Sequence, residues 1–276
     1  MIKLFEQDVV TNDRQSSKGN QLKWKNNDLW YKADGNGYEG LSEYLVSHLL
    51  TFTNLDKSDY VMYDLVQIQY KNNIFNGVSS HNFLKQNHKL ITLERLFQTY
   101  YGKSLNSSLW AIKDPIERLK FLVDSVERIT GLKDFGKYMN ILLTIDMLFL
   151  NEDRHTHNIA VLMNEKQEFD YCPIFDNGAS LLSDTYFDYP LGIDTYSLID
   201  SVKSKTFSNS FEEQVEASEK LYGSNISFSF TKKDVETLLD NIDVSIYSKE
   251  TRERVKEVII EQMRKYPYLF WLKRMH

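Results

Sequence analysis

The stretch from Asp134 to Leu150 constrains the fold more than any other part of the sequence. It is apolar on most faces of a helix, which predicts a central helix buried on nearly every side. The polar run that follows is therefore expected to form a loop at the end of a buried element. That run is Asn151-Glu152-Asp153-Arg154-His155-Thr156-His157-Asn158.

The first third of the chain has a different pattern. Strand-like segments bounded by polar turn residues occur at 21–24, 29–33, 60–70 and 74–78. One helix is predicted over 41–52, and from about Thr92 apolar residues recur at helical spacing. We therefore expect an α+β fold of two lobes, a small β-rich N-terminal lobe over 1–85 and a larger, mostly helical C-terminal lobe over 86–276. A cleft between two lobes is a common place for a ligand.

Composition narrows the class of protein. The chain has 276 residues, of which 42% are hydrophobic, and a formal net charge of −6. This is enough apolar material for a sizeable core, so global disorder is not expected. The acidic balance argues against a broad phosphate-binding surface, so we expect no nucleic-acid partner.

A cytoplasmic location is the expectation, with export by a route without a signal peptide left open. Cys172 is the only cysteine, which excludes an internal disulfide and a cysteine-rich zinc motif. Residues 1–10 have no apolar core of signal-peptide length. The longest apolar stretch, 141–150, is far short of the ~20 residues that span a bilayer. We therefore expect no membrane insertion and no membrane partner.

Two polar segments contain the residue types that phosphoryl transfer needs. That reaction uses a carboxylate near the attacking hydroxyl and oxygen ligands for Mg²⁺ on the nucleotide phosphates. Asp153 and Asn158 could supply both from one loop, and Asp176 could complete the metal site after a two-strand hairpin. Gly178 would permit a bend after Asp176. Each residue alone is also typical of an ordinary turn, but their combination in this order favours the chemical interpretation.

The N-terminal third contains candidate nucleotide contacts. Lys32, at the end of a strand, could reach phosphates and pair with a carboxylate on the next helix, for which Glu43 and Glu39 are candidates. An exposed strand lysine is the alternative. Backbone N–H groups and hydroxyls of a small polar loop could cover phosphates, although such loops are usually only loops. The residues of that loop are Ser16, Ser17, Lys18 and Gly19.

Two motifs match well-known signatures but stand in the wrong context. Asp134-Phe135-Gly136 matches the metal-binding tripeptide of protein kinases, yet it precedes the Asp153 loop instead of following it, so we interpret it as the start of the buried helix. Gly102-Lys103-Ser104 matches the tail of a Walker P-loop. Phe97 stands where that motif needs its first glycine, and the preceding segment is predicted to be helical.

His155 and His157 suggest a different chemistry. Side chains two apart on an extended segment share a face, and Asp153 is close in sequence, so a metal site for hydrolysis is an alternative. The sequence has no His-Glu-x-x-His helix or other standard metal set, which makes this alternative the less favoured one. We expect His155 to brace the loop by hydrogen bonding and His157 to be exposed.

The two polar segments resemble motifs of the HipA-like kinase family and, more distantly, of phosphatidylinositol-kinase-type enzymes. Asp153-Arg154-His155-x-x-Asn158 resembles their catalytic loop, and Ile174-Phe175-Asp176-Asn177-Gly178 resembles their metal-binding motif. The resemblance implies a protein-kinase-like fold that uses ATP and Mg²⁺. It implies that Asp153 is the catalytic base or orients the acceptor hydroxyl, with His155 beside it, and that Asn158 and Asp176 bind Mg²⁺.

Other segments extend the resemblance. Tyr31-Lys32-Ala33 and Ser42-Glu43-Tyr44 resemble the strand lysine and helix glutamate of that fold, which implies that Glu43 holds Lys32 at the phosphates. The stretch 77–84 resembles the strand-to-linker segment of compact members. It implies that backbone groups of Val78, Ser79 and Ser80 face adenine, while the loop at 16–19 covers the phosphates. The stretch 207–214 also resembles these proteins, but no chemistry attaches to it.

The activity that the resemblance implies is that of a bacterial protein serine/threonine kinase, with autophosphorylation left open. Its partner would be a protein substrate with a Ser or Thr acceptor. Full-length HipA toxins carry an extra N-terminal subdomain that this sequence lacks, which argues against antitoxin pairing of their type. An antitoxin-type partner is nevertheless left open. A small-molecule or lipid kinase is one alternative, and a nucleotide-binding scaffold or toxin module without turnover is another.

Overall fold

The computed structural model describes residues 1–10 and 21–270. It contains a five-stranded sheet, a three-stranded sheet and many helices, so the predicted α+β class is confirmed. Packing divides the chain into two compact units. The first comprises Met1–Asn82, Phe175–Ser201 and Phe228–His276, and the second comprises Phe83–Ile174 and Val202–Ser227. These units are discontinuous in sequence, whereas the predicted lobes were continuous, and the division into functional lobes at residue 85 stays a prediction.

The five-stranded sheet belongs to the first unit. Its strands, in chain order, are β1 (Ile2–Leu4), β2 (Lys23–Asn26), β3 (Leu29–Ala33), β4 (Asp64–Tyr70) and β5 (Asn73–His81). They lie in the order β1-β4-β5-β3-β2, with β1 parallel to β4 and the other pairs antiparallel. The two predicted hairpins are present, and Asn27 and Lys71 take left-handed backbone conformations at their turns. Trp24 and Tyr70 pack edge to face at 5.2 Å in the core of this sheet.

Helix α1 (Glu39–Leu49) packs against β5, β4 and β3. Leu41, Leu45 and Leu49 form its fully buried stripe. The helix approaches β5 closely because Gly40 meets Gly77, where an added Cβ on Gly40 would lie 2.9 Å from the Gly77 Cα. This close packing fixes α1 beside the strand that pairs with β3.

The second unit is mostly helical. Its helices include α2 (Leu93–Tyr101), α3 (Leu105–Ala111), α4 (Pro115–Thr130) and α5 (Phe135–Phe149). The chain also contributes α6 (Thr195–Ser201) to the first unit and α7 (Phe211–Tyr222) to the second. A small sheet completes the second unit, formed in the order β6 (His88–Thr92), β7 (Ala160–Asn164) and β8 (Phe169–Tyr171). The β7–β8 hairpin was predicted from the sequence, whereas β6 was not.

Helix α5 is the buried helix that the sequence predicts. It packs against α7 and α4, and most of its residues are buried. The Asp134-Phe135-Gly136 motif is its start, as interpreted from the sequence, since Asp134 is the residue that precedes the first turn. Gly136 lies against the Tyr222 ring, which leaves no room for an added Cβ. The Walker-like motif is likewise no phosphate loop, because Gly102 ends α2 and Ser104 caps α3.

The last two helices, α8 (Lys232–Asp240) and α9 (Lys249–Lys265), return to the first unit and pack on each other. Arg254 of α9 is 4% exposed and donates hydrogen bonds to a run of backbone carbonyls, those of Tyr189, Pro190, Leu191 and Ile193. This arginine ties the segment after Asp176 to the C-terminal helices. Among the described residues, no helix is long and apolar enough to cross a membrane.

Candidate functional site

The loop over residues 151–158 begins where α5 ends. Leu150 takes a left-handed conformation, and the Asn151 N–H donates to the Asp146 carbonyl at 2.9 Å, which reverses the chain out of the helix. Within the loop the Asp153 N–H donates to the Asn151 Oδ1 at 3.2 Å. The buried helix therefore positions Asp153 through short-range hydrogen bonds.

A buried ion pair holds this loop to α5. Arg154 and Asp146 are each 2% exposed, and the Arg154 Nε donates to both carboxylate oxygens at 3.2 and 3.0 Å. The Arg154 Nη1 donates to the Asn158 carbonyl at 3.2 Å, which joins the middle of the loop to its last residue. Asp146 was not among the predicted site residues. The available signal was a carboxylate within an otherwise apolar helix, which usually marks a paired charge.

Asp153 and Asn158 lie together, as the sequence predicted for one loop. The Asn158 Nδ2 donates to the Asp153 carbonyl at 2.9 Å and approaches its Oδ2 at 3.5 Å. Because the amide nitrogen faces Asp153, the amide oxygen is the end that can ligate a cation. The Asp153 side chain is 15% exposed, so a substrate hydroxyl can reach it.

Glu94 braces the middle of the loop. Its carboxylate accepts hydrogen bonds from the Thr156 hydroxyl at 2.9 Å and from the N–H groups of Leu105 and Asn106 at 3.1 and 3.0 Å. Burial acts to raise the pKa of Glu94, but hydrogen bonds from Ser104, Asn106 and Thr156 outweigh it and lower that pKa. The carboxylate therefore stays charged and links the loop to the start of α3.

His155 contributes to the loop through its backbone. Its N–H donates to the Asp153 carbonyl at 3.0 Å, and its carbonyl accepts from the Asn158 N–H at 2.8 Å. The side-chain Nε2 lies 3.9 Å from the Asp153 Oδ1, beyond hydrogen-bonding distance, and within the described ranges the buried Nδ1 has no hydrogen-bond partner. The expected brace is thus formed by backbone groups. His157 is exposed, as expected.

The described part of the chain contains no group of three or more His, Cys, Asp or Glu side chains arranged to hold a metal ion. His155 and His157 lie with ring centroids 5.6 Å apart at nearly right angles.

The second cluster of candidate residues belongs to the first unit and is named here the Lys32 cluster: Lys32, Glu43 and Asp176. The Lys32 Nζ donates to the Glu43 Oε1 at 2.6 Å and to the Asp176 Oδ1 at 2.9 Å. Glu43 is the partner that the resemblance implies, and it is 1% exposed. Burial acts to lower the pKa of Lys32, but the carboxylates of Asp176 and Glu43 together hold it well above its ordinary value. The ammonium is therefore charged at any physiological pH.

Asp176 reaches Lys32 through an uncommon backbone conformation. Its φ is 62°, in the left-handed region that aspartate tolerates better than most residues, whereas Gly178, expected to supply the bend, lies outside that region. The next N–H, of Asn177, donates to the Glu43 Oε2 at 2.9 Å. Glu43 therefore binds both the lysine and the backbone that carries Asp176.

The segment after Asp176 is also held by α1. The Ser42 hydroxyl donates to the Ser180 carbonyl at 2.9 Å, and the Tyr38 hydroxyl donates to the Leu181 carbonyl at 2.7 Å. Both contacts are buried, so the position of Asp176 depends on the same helix that carries Glu43.

The carboxylate of Glu39, the other candidate partner for Lys32, binds backbone instead. It accepts from the N–H groups of Gly35, Asn36 and Gly37 at 3.2, 2.7 and 3.2 Å. Asp34, just after β3, accepts from the Gly40 N–H at 2.6 Å and the Tyr247 hydroxyl at 2.8 Å. Burial, reinforced by the charge of Glu39, raises the pKa of Asp34 from 3.8 to about 7. Nothing in the sequence around Asp34 distinguishes it from an ordinary turn residue.

The residues expected at the adenine lie on the central strand β5. Val78 is fully buried and pairs with Lys32 on one side and Leu65 on the other. Pairing with β4 ends at Ser79, whereas pairing with β3 continues through Ser80 to His81. Adenine contact by these residues stays a prediction. The expected phosphate-loop residues, Ser16, Ser17, Lys18 and Gly19, lie outside the described residues.

Comparison with known proteins identifies the fold. No family model matches the sequence, and no curated protein matches it. The structure is similar to that of the Helicobacter pylori proinflammatory kinase CtkA, with a TM-score of 0.60 and 15% sequence identity, over 96% of this chain and 95% of that chain. An identity this low shows the fold and not the activity. The predicted kinase-like α+β fold is thereby confirmed.

Proposed function

We propose that this chain is an ATP-dependent phosphotransferase of the kinase type, acting on an alcohol group, with a protein Ser or Thr side chain as the favoured acceptor. The observation that carries the proposal is the Lys32 cluster. A strand lysine bound to a helix glutamate, with an aspartate at the same ammonium, is the arrangement that positions nucleotide phosphates in protein kinases.

The chemistry of the two candidate ligands fits Mg²⁺. In the first unit Asp176 offers a carboxylate, and in the second unit Asn158 offers an amide oxygen; hard oxygen ligands of this kind are those that Mg²⁺ prefers. When bound, the ion would neutralise charge that develops on the transferring phosphate. Lys32 would donate to the nucleotide phosphates, and its high pKa keeps it charged for this role.

Asp153 would act on the acceptor. Its partly exposed carboxylate would accept the hydrogen of the attacking hydroxyl and orient the oxygen towards the γ-phosphorus. The Arg154–Asp146 pair would not touch substrate. Its part would be to keep the 151–158 loop in one shape, because catalytic groups lose much of their effect when displaced by about 1 Å.

The experiment is phosphate transfer from ATP and Mg²⁺, followed by intact-mass analysis of the enzyme and of a general Ser/Thr acceptor such as casein. Wild type is compared with Asp153→Asn and with Asp200→Asn, an exposed aspartate of the first unit that serves as a matched control. We expect transfer by wild type and Asp200→Asn and a loss of about 10²-fold or more in Asp153→Asn. Equal transfer by all three proteins would refute the role of Asp153.

A wild-type protein that binds ATP but transfers phosphate to no protein would refute the favoured acceptor. Small alcohols and lipid headgroup analogues, tested in the same assay, would then decide whether the acceptor is a small molecule. Absence of nucleotide binding by wild type would refute the proposal as a whole.

A further inference from the structure

The loop over residues 204–208 has a defined structure next to the 151–158 loop. The Ser204 hydroxyl donates to the Ser208 carbonyl at 2.7 Å, and the Phe207 N–H donates to the Gln214 Oε1 at 3.2 Å. Arg118 adds a hydrogen bond from its Nη1 to the Phe207 carbonyl at 2.9 Å. Its last two residues also begin the stretch 207–214, whose resemblance to HipA-like kinases carried no chemistry. The hydrogen bonds within and around the 204–208 loop show that its shape is fixed.

Lys205 is the one exposed residue of this loop. Ser204, Thr206 and Phe207 are at most 1% exposed, whereas the Lys205 side chain between them is 42% exposed. The backbone is therefore anchored on both sides of a single lysine, which leaves its long side chain accessible. A fixed backbone with one exposed cation is suited to presenting that cation to a ligand.

Adjacent residues of the two loops contact each other. The Thr206 hydroxyl donates to the Arg154 carbonyl at 2.6 Å, and the Lys205 Nζ lies 3.6 Å from the Asp153 Oδ1. The Thr206 contact fixes the spacing of the loops, and the Lys205 contact places an ammonium beside the proposed catalytic carboxylate. A distance of 3.6 Å is too long for a hydrogen bond between the Lys205 ammonium and the Asp153 carboxylate. The N–H groups of Lys205 can therefore be directed to a ligand.

Lys205 and Arg154 differ in what they can reach. Arg154 is 2% exposed and its guanidinium is engaged by Asp146, so it cannot turn to a substrate without leaving a buried carboxylate unpaired. Lys205 is accessible, and a partly exposed ion pair with Asp153 contributes little to stability. The contribution of Lys205 to the stability of the fold therefore does not explain why a lysine stands at this position.

We propose that Lys205 is a catalytic residue that donates a hydrogen bond to an oxygen of the transferring γ-phosphoryl group. The inference rests on the proposed function. The acceptor oxygen forms a bond to the γ-phosphorus as the bond from that phosphorus to the β–γ bridging oxygen breaks, with its electron pair left on ADP, and the hydroxyl proton passes to the Asp153 carboxylate. The Lys205 ammonium keeps its proton throughout and stabilises the negative charge on the phosphoryl oxygens.

Lys205→Met removes the charge and keeps most of the side-chain length, and Lys205→Arg keeps the charge. Lys203→Met is the matched control, since Lys203 is exposed and two residues earlier. For the full-length chain with Mg²⁺, kcat of Lys205→Met is expected to fall by about 10²-fold. Lys205→Arg should recover most of that loss, and Lys203→Met should equal wild type.

Nucleotide affinity provides a readout that does not need turnover. By calorimetry, Lys205→Met should weaken a non-hydrolysable ATP analogue by roughly tenfold and leave ADP unchanged, because ADP lacks the γ-phosphate. A purely structural role would lower thermal stability and affect both nucleotides alike. The inference is overturned if Lys205→Met loses affinity for both nucleotides alike. It is also overturned if the ratio of analogue affinity to ADP affinity is the same in Lys205→Met as in wild type.

The two proposals fail in different ways. If wild type transfers phosphate and Lys205→Met does so at an equal rate, only the role of Lys205 is wrong. If wild type binds neither nucleotide, the proposed function fails and the role of Lys205 fails with it. If wild type binds the analogue without transfer, the selective loss of analogue affinity in Lys205→Met still supports the γ-phosphate contact.

Discussion

The Arg154–Asp146 pair and the Lys32 cluster both hold a cation with carboxylates, and they differ in exposure. Arg154 and Asp146 are each 2% exposed and bind each other on the end of α5. In the Lys32 cluster, the lysine and Asp176 side chains are 14% and 26% exposed, and only Glu43 is fully buried. A cluster sealed on all sides can only support the structure, whereas one with accessible groups can also bind a ligand. Similar charges thus serve a structural role in one unit and a proposed chemical role in the other.

The largest expected effect on stability is at the sealed pair. Arg154→Leu leaves the Asp146 carboxylate buried without its cation, so the free energy of unfolding should fall by about 3–5 kcal/mol. Urea unfolding measures this. Arg264→Leu is the control, since Arg264 pairs with Glu261 at the surface and exposed pairs contribute little. Equal stability of the two variants would contradict a structural role for Arg154.

Lys32→Met should affect phosphate transfer more than stability, in contrast to Arg154→Leu. It leaves Glu43 without one hydrogen bond, although the Asn177 N–H remains, so we expect a smaller loss of unfolding free energy, about 1–3 kcal/mol. Phosphate transfer should fall by about 10²-fold or more. Lys25→Met, at an exposed position of β2, is the control. The Lys32 cluster would have a structural role like that of the Arg154–Asp146 pair if Lys32→Met transferred phosphate normally and lost as much stability as Arg154→Leu.

Asp34 should make the first unit sensitive to pH. Its folded-state pKa of about 7 lies above the ordinary 3.8, so the folded protein holds this proton more tightly than the unfolded chain. The stabilisation by the protonated form is complete below about pH 4 and is lost as the pH rises to about 7. The groups that face Asp34 are the Gly40 N–H, the Tyr247 hydroxyl and the carboxylate of Glu39.

Asp34→Asn carries no titrating group at this position. Between pH 5 and pH 8, wild type should lose about 1–2 kcal/mol of unfolding free energy relative to this variant, an amount reduced by the partial exposure of Asp34. Urea unfolding at the two pH values measures the difference. Parallel pH profiles for the two proteins would show that Asp34 ionises in the same range whether folded or unfolded.

Local pattern explains what could be predicted from the sequence. The apolar run of α5, its polar end and the hairpins follow from periodicity and turn residues, which act over a few positions. For the same reason Asp134-Phe135-Gly136 could be recognised as a helix start. Strand β6 was missed because it is short and gains its stability from pairing with β7, which is distant in sequence.

The parts of the site that escaped prediction depend on contacts distant in sequence. Nothing near Lys205 indicates that it lies beside Asp153, and nothing near Asp34 indicates the Tyr247 hydroxyl. Asp146 could have been noticed as a charge in a buried helix, but its partner in the following loop could not be derived from spacing alone. The residues alone left both Glu43 and Glu39 open as partners of Lys32. The resemblance implied Glu43, and in the structure Glu43 binds Lys32 whereas Glu39 binds backbone N–H groups.

The central claim is that the Lys32 cluster is a nucleotide site, and the most direct measurement is calorimetric ATP binding with and without Mg²⁺ for wild type and Asp176→Asn. We expect Mg²⁺ to strengthen ATP binding to wild type and to have little effect in Asp176→Asn, since that variant lacks a metal-binding carboxylate. Equal ATP affinity of the two proteins at saturating Mg²⁺ would contradict the claim.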